Sequence, residues 1–274
     1  MPTYEPFDWY QTPVYYDIIF DADTEKEATF LEQVAARHVQ PETPRPLTIL
    51  EPACGSGRLM AELAARGHTV AGCDLAGPML DFARKRFKER GVKGHLAKAP
   101  MQQFDLHRHT QQHGGYDLAH ILVSSFKYLL TDDDAALSLR CICDHLRPGG
   151  VFVLGIHLSE YGQDETTLER WRASRGNTDV ICTIKSWPPD PETRLEKVRS
   201  RIVAHDLDRH TDEPKRYESN WDFRTYDEAE LLALLAVEPR LRHCATHTFH
   251  HEISEETALG SEDLGLVLVL RREA

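Results

Sequence analysis

Four short apolar runs along this chain alternate with segments whose apolar residues recur at helical spacing. The runs lie at residues 48–50, 68–73, 116–123 and 151–156. A short, near-continuous apolar run is typical of a strand that is buried on both faces of a parallel sheet. Because such strands alternate with helices, the pattern predicts an α/β fold with a mostly parallel sheet and helices on both of its faces.

The alternation of strands and helices stops between residues 158 and 224. Three extended segments follow one another there, with turns but no helix between them: Thr178–Trp187, Arg194–His205 and Lys215–Phe223. Consecutive strands that are joined by turns form antiparallel sheets. We therefore expect residues 158–224 to be an antiparallel β insertion that covers the active-site face of the protein.

Residues 1–157 and 225–274 are expected to form the core domain. After the insertion, a leucine-rich helix is followed by two further extended segments, Leu241–Phe249 and Leu264–Leu270. These segments would complete a sheet of seven strands. The final strand is expected to run antiparallel to its neighbours.

A helix is also predicted near the start of the chain, over Thr24–His38. Thr24 and Glu27 have the spacing of a capping box, in which each side chain bonds a backbone amide at the helix start. A proline-rich linker, Pro41–Pro46, then leads to the first strand of the sheet.

The turn after the first apolar run has the most specific local pattern, Glu51-Pro-Ala-Cys-Gly-Ser-Gly57. Its small residues allow a ligand to approach the backbone closely, and the helix that follows favours a negatively charged ligand group at its N-terminus. The second apolar run ends at Asp74, whose carboxylate can accept hydrogen bonds from both hydroxyls of a ribose. A strand–loop–helix–strand unit of this kind binds a nucleoside-containing ligand beyond the strand ends.

Two cofactor classes use this geometry. The dinucleotide fingerprint G-x-G-x-x-G needs a third glycine where this chain has Met60, so an NAD(P) oxidoreductase is the weaker alternative. Residues 51–57 instead resemble motif I of the class I S-adenosylmethionine (AdoMet) methyltransferases. Tyr116-Asp117 before a strand and Leu146-Arg-Pro-Gly-Gly150 after a helix resemble a second hallmark of that family. The resemblance implies a Rossmann-like fold and AdoMet as the cofactor.

In that family the loop and the helix N-terminus face the methionine half of AdoMet, and the second acid holds the ribose. The resemblance implies cofactor contacts from Glu51, Ala53, Cys54, Gly55, Gly57, Arg58, Asp74, Leu75, Met79, Pro100, Met101 and Ser124. Pro100 stands where many relatives carry an acid that binds the adenine amino group. Adenine recognition is therefore expected to rest on apolar contacts with Leu75 and Met79 and on the Met101 amide, with Gln102 as an alternative partner.

The chain also resembles small-molecule N-methyltransferases, including enzymes that act on nucleotide-linked amino sugars and on glycine-type amines. In the amino-sugar enzymes an N-terminal tyrosine and an aromatic or histidine residue after the fourth strand face the reacting amine. Tyr16 and Tyr128 fall at the matching places and are the catalytic candidates. Tyr15 is an equal candidate for the first role, and simple packing of Tyr16 and Tyr128 is the alternative for both.

The nature of the acceptor follows from the chemistry of methyl transfer. A neutral amine needs little beyond alignment with the methyl group, whereas a hydroxyl needs a general base or a metal ion. The resemblance to small-molecule N-methyltransferases implies N-methylation of a small molecule, and we expect no metal. A small-molecule O-methyltransferase and an AdoMet- or nucleoside-binding protein with impaired catalysis remain the alternatives.

Composition excludes several classes of partner. Lys and Arg number 32 against 44 Asp and Glu, so the formal net charge of −12 argues against a nucleic-acid substrate. No apolar run approaches the roughly 18 residues of a membrane span, and the first residues do not resemble a signal peptide. The six scattered cysteines fit reduced thiols. We expect a cytoplasmic protein that is a monomer or a homodimer and does not bind membranes.

Histidines cluster in two places, and neither cluster predicts a metal site. His243, His247, His250 and His251 lie near the C-terminal end, and His107, His109 and His113 lie in a polar loop. The first group has no cysteine or acid at ligand spacing. These histidines are expected to be surface imidazoles.

Overall fold

The computed structural model describes residues 3–40, 46–110, 114–207 and 213–274. Its helices are α1 Pro13–Phe20, α2 Thr24–His38, α3 Arg58–Ala65, α4 Gly77–Arg90, α5 Asp132–His145 and α6 Glu228–Leu235. Its strands are β1 Glu5–Pro6, β2 Thr48–Pro52, β3 Thr69–Asp74, β4 His95–Lys98, β5 Tyr116–Ile121, β6 Leu146–His157, β7 Thr167–Arg175, β8 Thr178–Ser186, β9 Leu195–Asp206, β10 Lys215–Arg224, β11 Leu241–Thr248 and β12 Gly265–Arg272. Residues 41–45 of the expected linker and His113 lie outside the described residues.

The core is a seven-stranded sheet with the strand order β11-β12-β6-β5-β2-β3-β4. Strands β2 to β6 run parallel to one another, whereas β12 is antiparallel to both β6 and β11. The predicted Rossmann-like architecture is confirmed, including the antiparallel final strand.

Neighbouring residues of the strands point to opposite faces of this sheet. Leu50 packs in a cluster with α5 and α6, while Ile49 packs in a cluster with α2, α3 and α4. Both side chains are at most 2% exposed. Since burial of such a side chain contributes about 1.5–3 kcal/mol, the two layers of helices hold the strand ends in fixed register.

The second sheet has the order β1-β10-β9-β8-β7, and all its pairs except β1–β10 are antiparallel. The predicted antiparallel insertion is therefore present. It contains one strand more than the sequence pattern indicated, because β7 forms the edge and buries few apolar side chains. Residues 5 and 6, which lie outside the expected insertion of 158–224, also pair with this sheet.

Helix α1 joins the two sheets. Trp9 and Ile18 from this part of the chain are buried in one cluster with Val180, Cys182 and Ile202 of the second sheet. On its other side, α1 faces the turn after β2. The N-terminal segment is therefore a layer between the inserted sheet and the predicted cofactor loop.

Two local expectations were wrong. Helix α2 begins after Asp23 without a side-chain cap, and Thr24 and Glu27 are buried and accept hydrogen bonds from Arg58 instead. His247 and His251 are not surface imidazoles, because they are buried against the ring of Phe30.

Among the described residues, no helix is long and apolar enough to cross a membrane.

Candidate active site

The turn between β2 and α3 has a backbone that brings its amides together. Ala53, Gly55 and Gly57 have φ angles of 55°, 52° and 65°. At Gly57 a Cβ atom would lie 2.7 Å from the Cβ of Ala83, so only glycine permits this approach of α3 to α4. At Ala53 the same left-handed conformation costs about 1–3 kcal/mol, which is typical of functional sites.

Asp74, at the end of β3, fixes the position of this turn. Its Oδ2 accepts the amide of Gly55 at 2.8 Å, and its Oδ1 accepts the amide of Ala76 at 2.8 Å. Burial raises the pKa of Asp74, while these two amides lower it. Each carboxylate oxygen keeps a second acceptor site for a ligand hydroxyl.

A cavity with about 400 Å³ of empty space, part of it open to solvent, lies between the turn and the loop after β5. The residues that line it include Tyr16, Glu51, Ala53, Cys54, Arg58, Leu122 and Ser125. Five of these seven were predicted to contact the cofactor or to act in catalysis at this position. The predicted Ser124 does not line the cavity; its Oγ lies 2.7 Å from Nδ1 of His157.

Two ionisable side chains, Arg58 and Glu51, line the cavity. Arg58 is buried in an ion pair with Glu27, so its charge is neutralised from α2. Glu51 is 14% exposed and its Oε2 has no hydrogen-bond partner among the described residues. Burial raises the pKa of Glu51 to about 8, although the nearby Arg58 lowers it.

The residues expected around an adenine lie at the other end of the strand edge. Leu75 is 64% exposed directly after Asp74, and Pro100 and Met101 are half-buried beyond β4. Met79 is completely buried in the core, where no part of its side chain is accessible. The structure therefore offers an open apolar edge at Leu75, but not at Met79.

Three tyrosines meet above the cavity. The ring of Tyr10 lies 6.1 Å from that of Tyr16 and 6.0 Å from that of Tyr128. Phe223 of β10 packs edge-on against Tyr128 at 4.8 Å, and Trp221 lies 6.5 Å from it. The two catalytic candidates thus belong to one aromatic cluster, and Tyr10, Trp221 and Phe223 are members that sequence reasoning missed.

The phenols of this cluster are neutral at physiological pH. Burial raises the pKa of Tyr128 to about 12 and raises the pKa of Tyr16 well above its ordinary value. Tyr15 points elsewhere, because its ring packs on Tyr217 of the second sheet at 5.8 Å. Tyr16 rather than Tyr15 therefore lines the cavity, and its hydroxyl can both donate and accept hydrogen bonds.

A buried ion pair lies beside the aromatic cluster. Nζ of Lys127 is 3.0 Å from Oε2 of Glu196 on β9, and it also lies 5.3 Å from the centre of the Phe223 ring. The sequence pattern contains one signal for Glu196. It occupies the same face of β9 as the buried Val198 and Ile202, where a charged side chain needs a partner.

Asp17 links the turn to both neighbouring elements. It is fully buried, accepts the hydroxyl of Ser56 at 2.6 Å, and pairs with Arg86 of α4 and Arg175 of β7. A single carboxylate therefore connects α1, α4, the inserted sheet and the turn.

One group of possible metal ligands occurs among the described residues, and it shares no residue with the cavity lining. Ligand atoms of Asp105, His107 and His145 lie within 4.8 Å of one another. His145 donates from Nδ1 to the Cys141 carbonyl at 2.7 Å and accepts the Leu106 amide at Nε2. Since both of its ring nitrogens form hydrogen bonds with backbone groups, the imidazole of His145 has a structural role in the fold.

Comparison with known sequences finds relatives of the central part of the chain. Residues 49–150 match a family described as a methyltransferase domain. The Bacillus subtilis protein YqeM, whose own methyltransferase assignment is provisional, is 30% identical over 121 residues, or 44% of this chain and 47% of that protein. An N,N-dimethyltransferase of dTDP-3-amino-3,4,6-trideoxy-α-D-glucopyranose from Streptomyces venezuelae is 29% identical over 42% of this chain and 45% of that protein. Each match spans less than half of the relative's length.

Comparison with solved structures covers nearly the whole chain. An AdoMet-dependent methyltransferase from Clostridium acetobutylicum has a TM-score of 0.72 and 19% identity over 96% of this chain and 97% of its own. DesVI from Streptomyces venezuelae has a TM-score of 0.71 and 19% identity over 98% and 100%. At this identity the similarity establishes a shared fold, with both the core and the inserted sheet.

Proposed function

We propose that this chain, whose residues 49–150 match a methyltransferase-domain family, is an AdoMet-dependent methyltransferase that methylates an amine nitrogen of a small molecule. The observation that carries the proposal is the position of the aromatic cluster directly beside the Glu51–Gly57 turn. The turn would bind the cofactor, and the apolar aromatic cluster next to it would bind the acceptor, in the same cavity.

The residues of the turn fit the proposed cofactor. The orphaned Oε2 of Glu51 is suited to an ammonium group, and the free acceptor sites of Asp74 are suited to ribose hydroxyls. The amides at the start of α3 favour a carboxylate. When bound, AdoMet supplies a methyl group on a sulfonium, which is already an activated leaving group.

The aromatic cluster fits an amine acceptor. The neutral hydroxyls of Tyr16 and Tyr128 can accept hydrogen bonds from an amine and so orient its lone pair, which is the alignment that methyl transfer requires. The ring faces of Trp221 and Phe223 can stabilise the cationic methylated product by about 0.5–2 kcal/mol. Among the curated relatives, three are named as N,N-dimethyltransferases of dTDP-linked amino sugars.

The test is a turnover assay with matched acceptors. The protein is incubated with AdoMet and with pairs of small molecules that differ only in an amine or a hydroxyl, including dTDP-linked amino sugars, and methylated products are identified by mass spectrometry. We expect methylation of amines only. Methylation of the hydroxyl partners alone would overturn N-methylation, and the absence of AdoMet binding in calorimetry would overturn the enzyme assignment itself.

A further inference from the structure

A buried pair of titratable side chains lies beneath the cavity. Glu51 near the end of β2 and His120 on the adjacent strand β5 point to the same face of the sheet, and Oε2 of Glu51 is 3.9 Å from Nε2 of His120. The imidazole is completely buried. A movement of about 1 Å would bring the two atoms to hydrogen-bond distance.

Both partners have unused hydrogen-bonding groups. Oε2 of Glu51 and both ring nitrogens of His120 have no hydrogen-bond partner within the described ranges. Leaving such groups buried and unsatisfied destabilises the folded state, and folded proteins keep few of them without a functional reason. Because Nδ1 of His120 is not engaged, nothing fixes which ring nitrogen carries the proton.

Burial favours a neutral pair. Burial raises the pKa of Glu51 to about 8 and lowers the pKa of His120 to about 3. The other groups that act on Glu51 are Arg58 of α3, Glu27 of α2, Asp74 of β3 and the backbone amide of Met60, and Arg58 also acts on His120. Since Arg58 is already paired with Glu27, it does not supply the missing partner for Glu51.

We propose that Glu51 and His120 form a proton switch that couples cofactor binding to the release of one proton, an inference that rests on the proposed function. Without cofactor, protonated Glu51 donates to Nε2 of His120, whose proton is on Nδ1. With cofactor, ionised Glu51 accepts the ammonium of the methionine end and a hydrogen bond from Nε2–H of His120.

The protons balance in this scheme. The carboxylic acid of Glu51 loses one proton to solvent, and the ammonium replaces it as the positive partner. His120 neither gains nor loses a proton overall, since one leaves Nδ1 as another binds Nε2. His120 is therefore a positioning residue, which stabilises both protonation states of Glu51 without touching the cofactor.

Calorimetry of AdoMet binding measures how many protons are released for each cofactor bound. Titrations at pH 6.5 in buffers of different ionisation enthalpy should show release of about one proton per cofactor, since Glu51 is protonated there and the α-amino group of the cofactor has a pKa near 7.7–8.0. The apparent affinity should rise about tenfold from pH 6 to pH 7. S-adenosylhomocysteine, which lacks the sulfonium charge, should release the same proton. Glu51→Gln should release none.

NMR of histidine-labelled protein reports the tautomer directly. Long-range proton–nitrogen spectra at pH 6.5 should show neutral His120 with its proton on Nδ1 in the free protein and on Nε2 in the complex, the signal being assigned through His120→Asn. His145 is an internal control, because its bonds to Cys141 and Leu106 hold its proton on Nδ1 in both states.

The outcomes separate the inference from the proposed function. Tight binding without proton release, or an unchanged tautomer of His120, would overturn the proton switch and leave the methyltransferase proposal standing. No binding of AdoMet or S-adenosylhomocysteine would overturn the proposed function, and the switch with it. The proton count and the tautomer are measured on the wild-type protein; Glu51→Gln serves only as a control and His120→Asn only to assign the signal.

Discussion

The carboxylate of Asp74 accepts hydrogen bonds from the backbone and, in the proposed complex, from the ligand as well. Its two oxygens hold the amides of Gly55 and Ala76, and their remaining acceptor sites face the strand edge where a ribose would lie. Loss of this side chain should therefore weaken cofactor binding in two ways, through the ribose hydroxyls and through a less ordered turn.

Asp74→Ala is expected to cost about 1–3 kcal/mol of cofactor affinity, measured by calorimetry with AdoMet. Asp81→Ala is the matched control, since it removes the same charge from an exposed position on α4 that pairs only with Arg84 at the surface. The control should bind as the wild type does. Equal affinities for the two variants would remove Asp74 from the proposed cofactor site.

Tyr128 tests the role of the phenol groups. Tyr128→Phe keeps the ring contacts with Tyr10 and Phe223 but removes the hydroxyl that would orient the amine. Once an acceptor is known, we expect kcat to fall about 10-fold or more and AdoMet affinity to stay constant. Tyr15→Phe, whose ring packs on Tyr217 outside the cavity, should retain full activity. Unchanged turnover in Tyr128→Phe would assign this residue to packing.

At the scale of elements, the sequence predicted buried strands and long helices well and predicted non-local pairs poorly. Thr24 and Glu27 match the spacing of a capping box, but both side chains accept hydrogen bonds from Arg58 of α3. Strand β7 was missed because an edge strand with one open face lacks the apolar alternation of its neighbours. For Thr24 and Glu27 the deciding partner, Arg58, lies 34 and 31 residues away in the sequence.

Asp17 is the strongest single link between elements. Asp17→Asn removes the charge that Arg86 and Arg175 share, and the loss of one partner from a buried ion pair costs about 3–5 kcal/mol. Asp21→Asn is the control, because this half-exposed acid pairs with the same two arginines, and its loss should cost less than about 1 kcal/mol. Urea unfolding of both variants measures the difference. Equal free energies of unfolding would contradict a special role for Asp17.

At the scale of the whole molecule, the sequence motifs predicted the residues on the cofactor side of the site but not most of those on the acceptor side. Residues 51–57 and Asp74 are adjacent in one strand–loop–helix–strand unit, so their spacing alone brings them together. Lys127 meets Glu196, and Tyr128 meets Phe223, only because the second sheet folds over the core. A sequence pattern carries no information on that docking, which depends on the packing of α1.

The same packing predicts that cofactor binding should order both sheets. Tyr16 of α1 lies 3.9 Å from the position of a Cβ on Gly55, while Ile18 is buried against the inserted sheet. A ligand on the turn at 100 times its dissociation constant stabilises the folded state by about 2.7 kcal/mol. Because α1 contacts both layers, part of this stabilisation should appear in α1 and in β8, beyond the cofactor-binding residues.

Hydrogen exchange with mass spectrometry measures this spread. S-adenosylhomocysteine should slow exchange in peptides from α1 and β8 as well as in those covering residues 51–74, and Asp74→Ala at the same ligand concentration should show little protection anywhere. Slower exchange confined to residues 49–150 would mean that the two sheets respond independently. Protection of α1 and β8 would instead show that the inserted sheet responds to the cofactor, because the helix that carries Tyr16 and Asp17 contacts both the turn and that sheet.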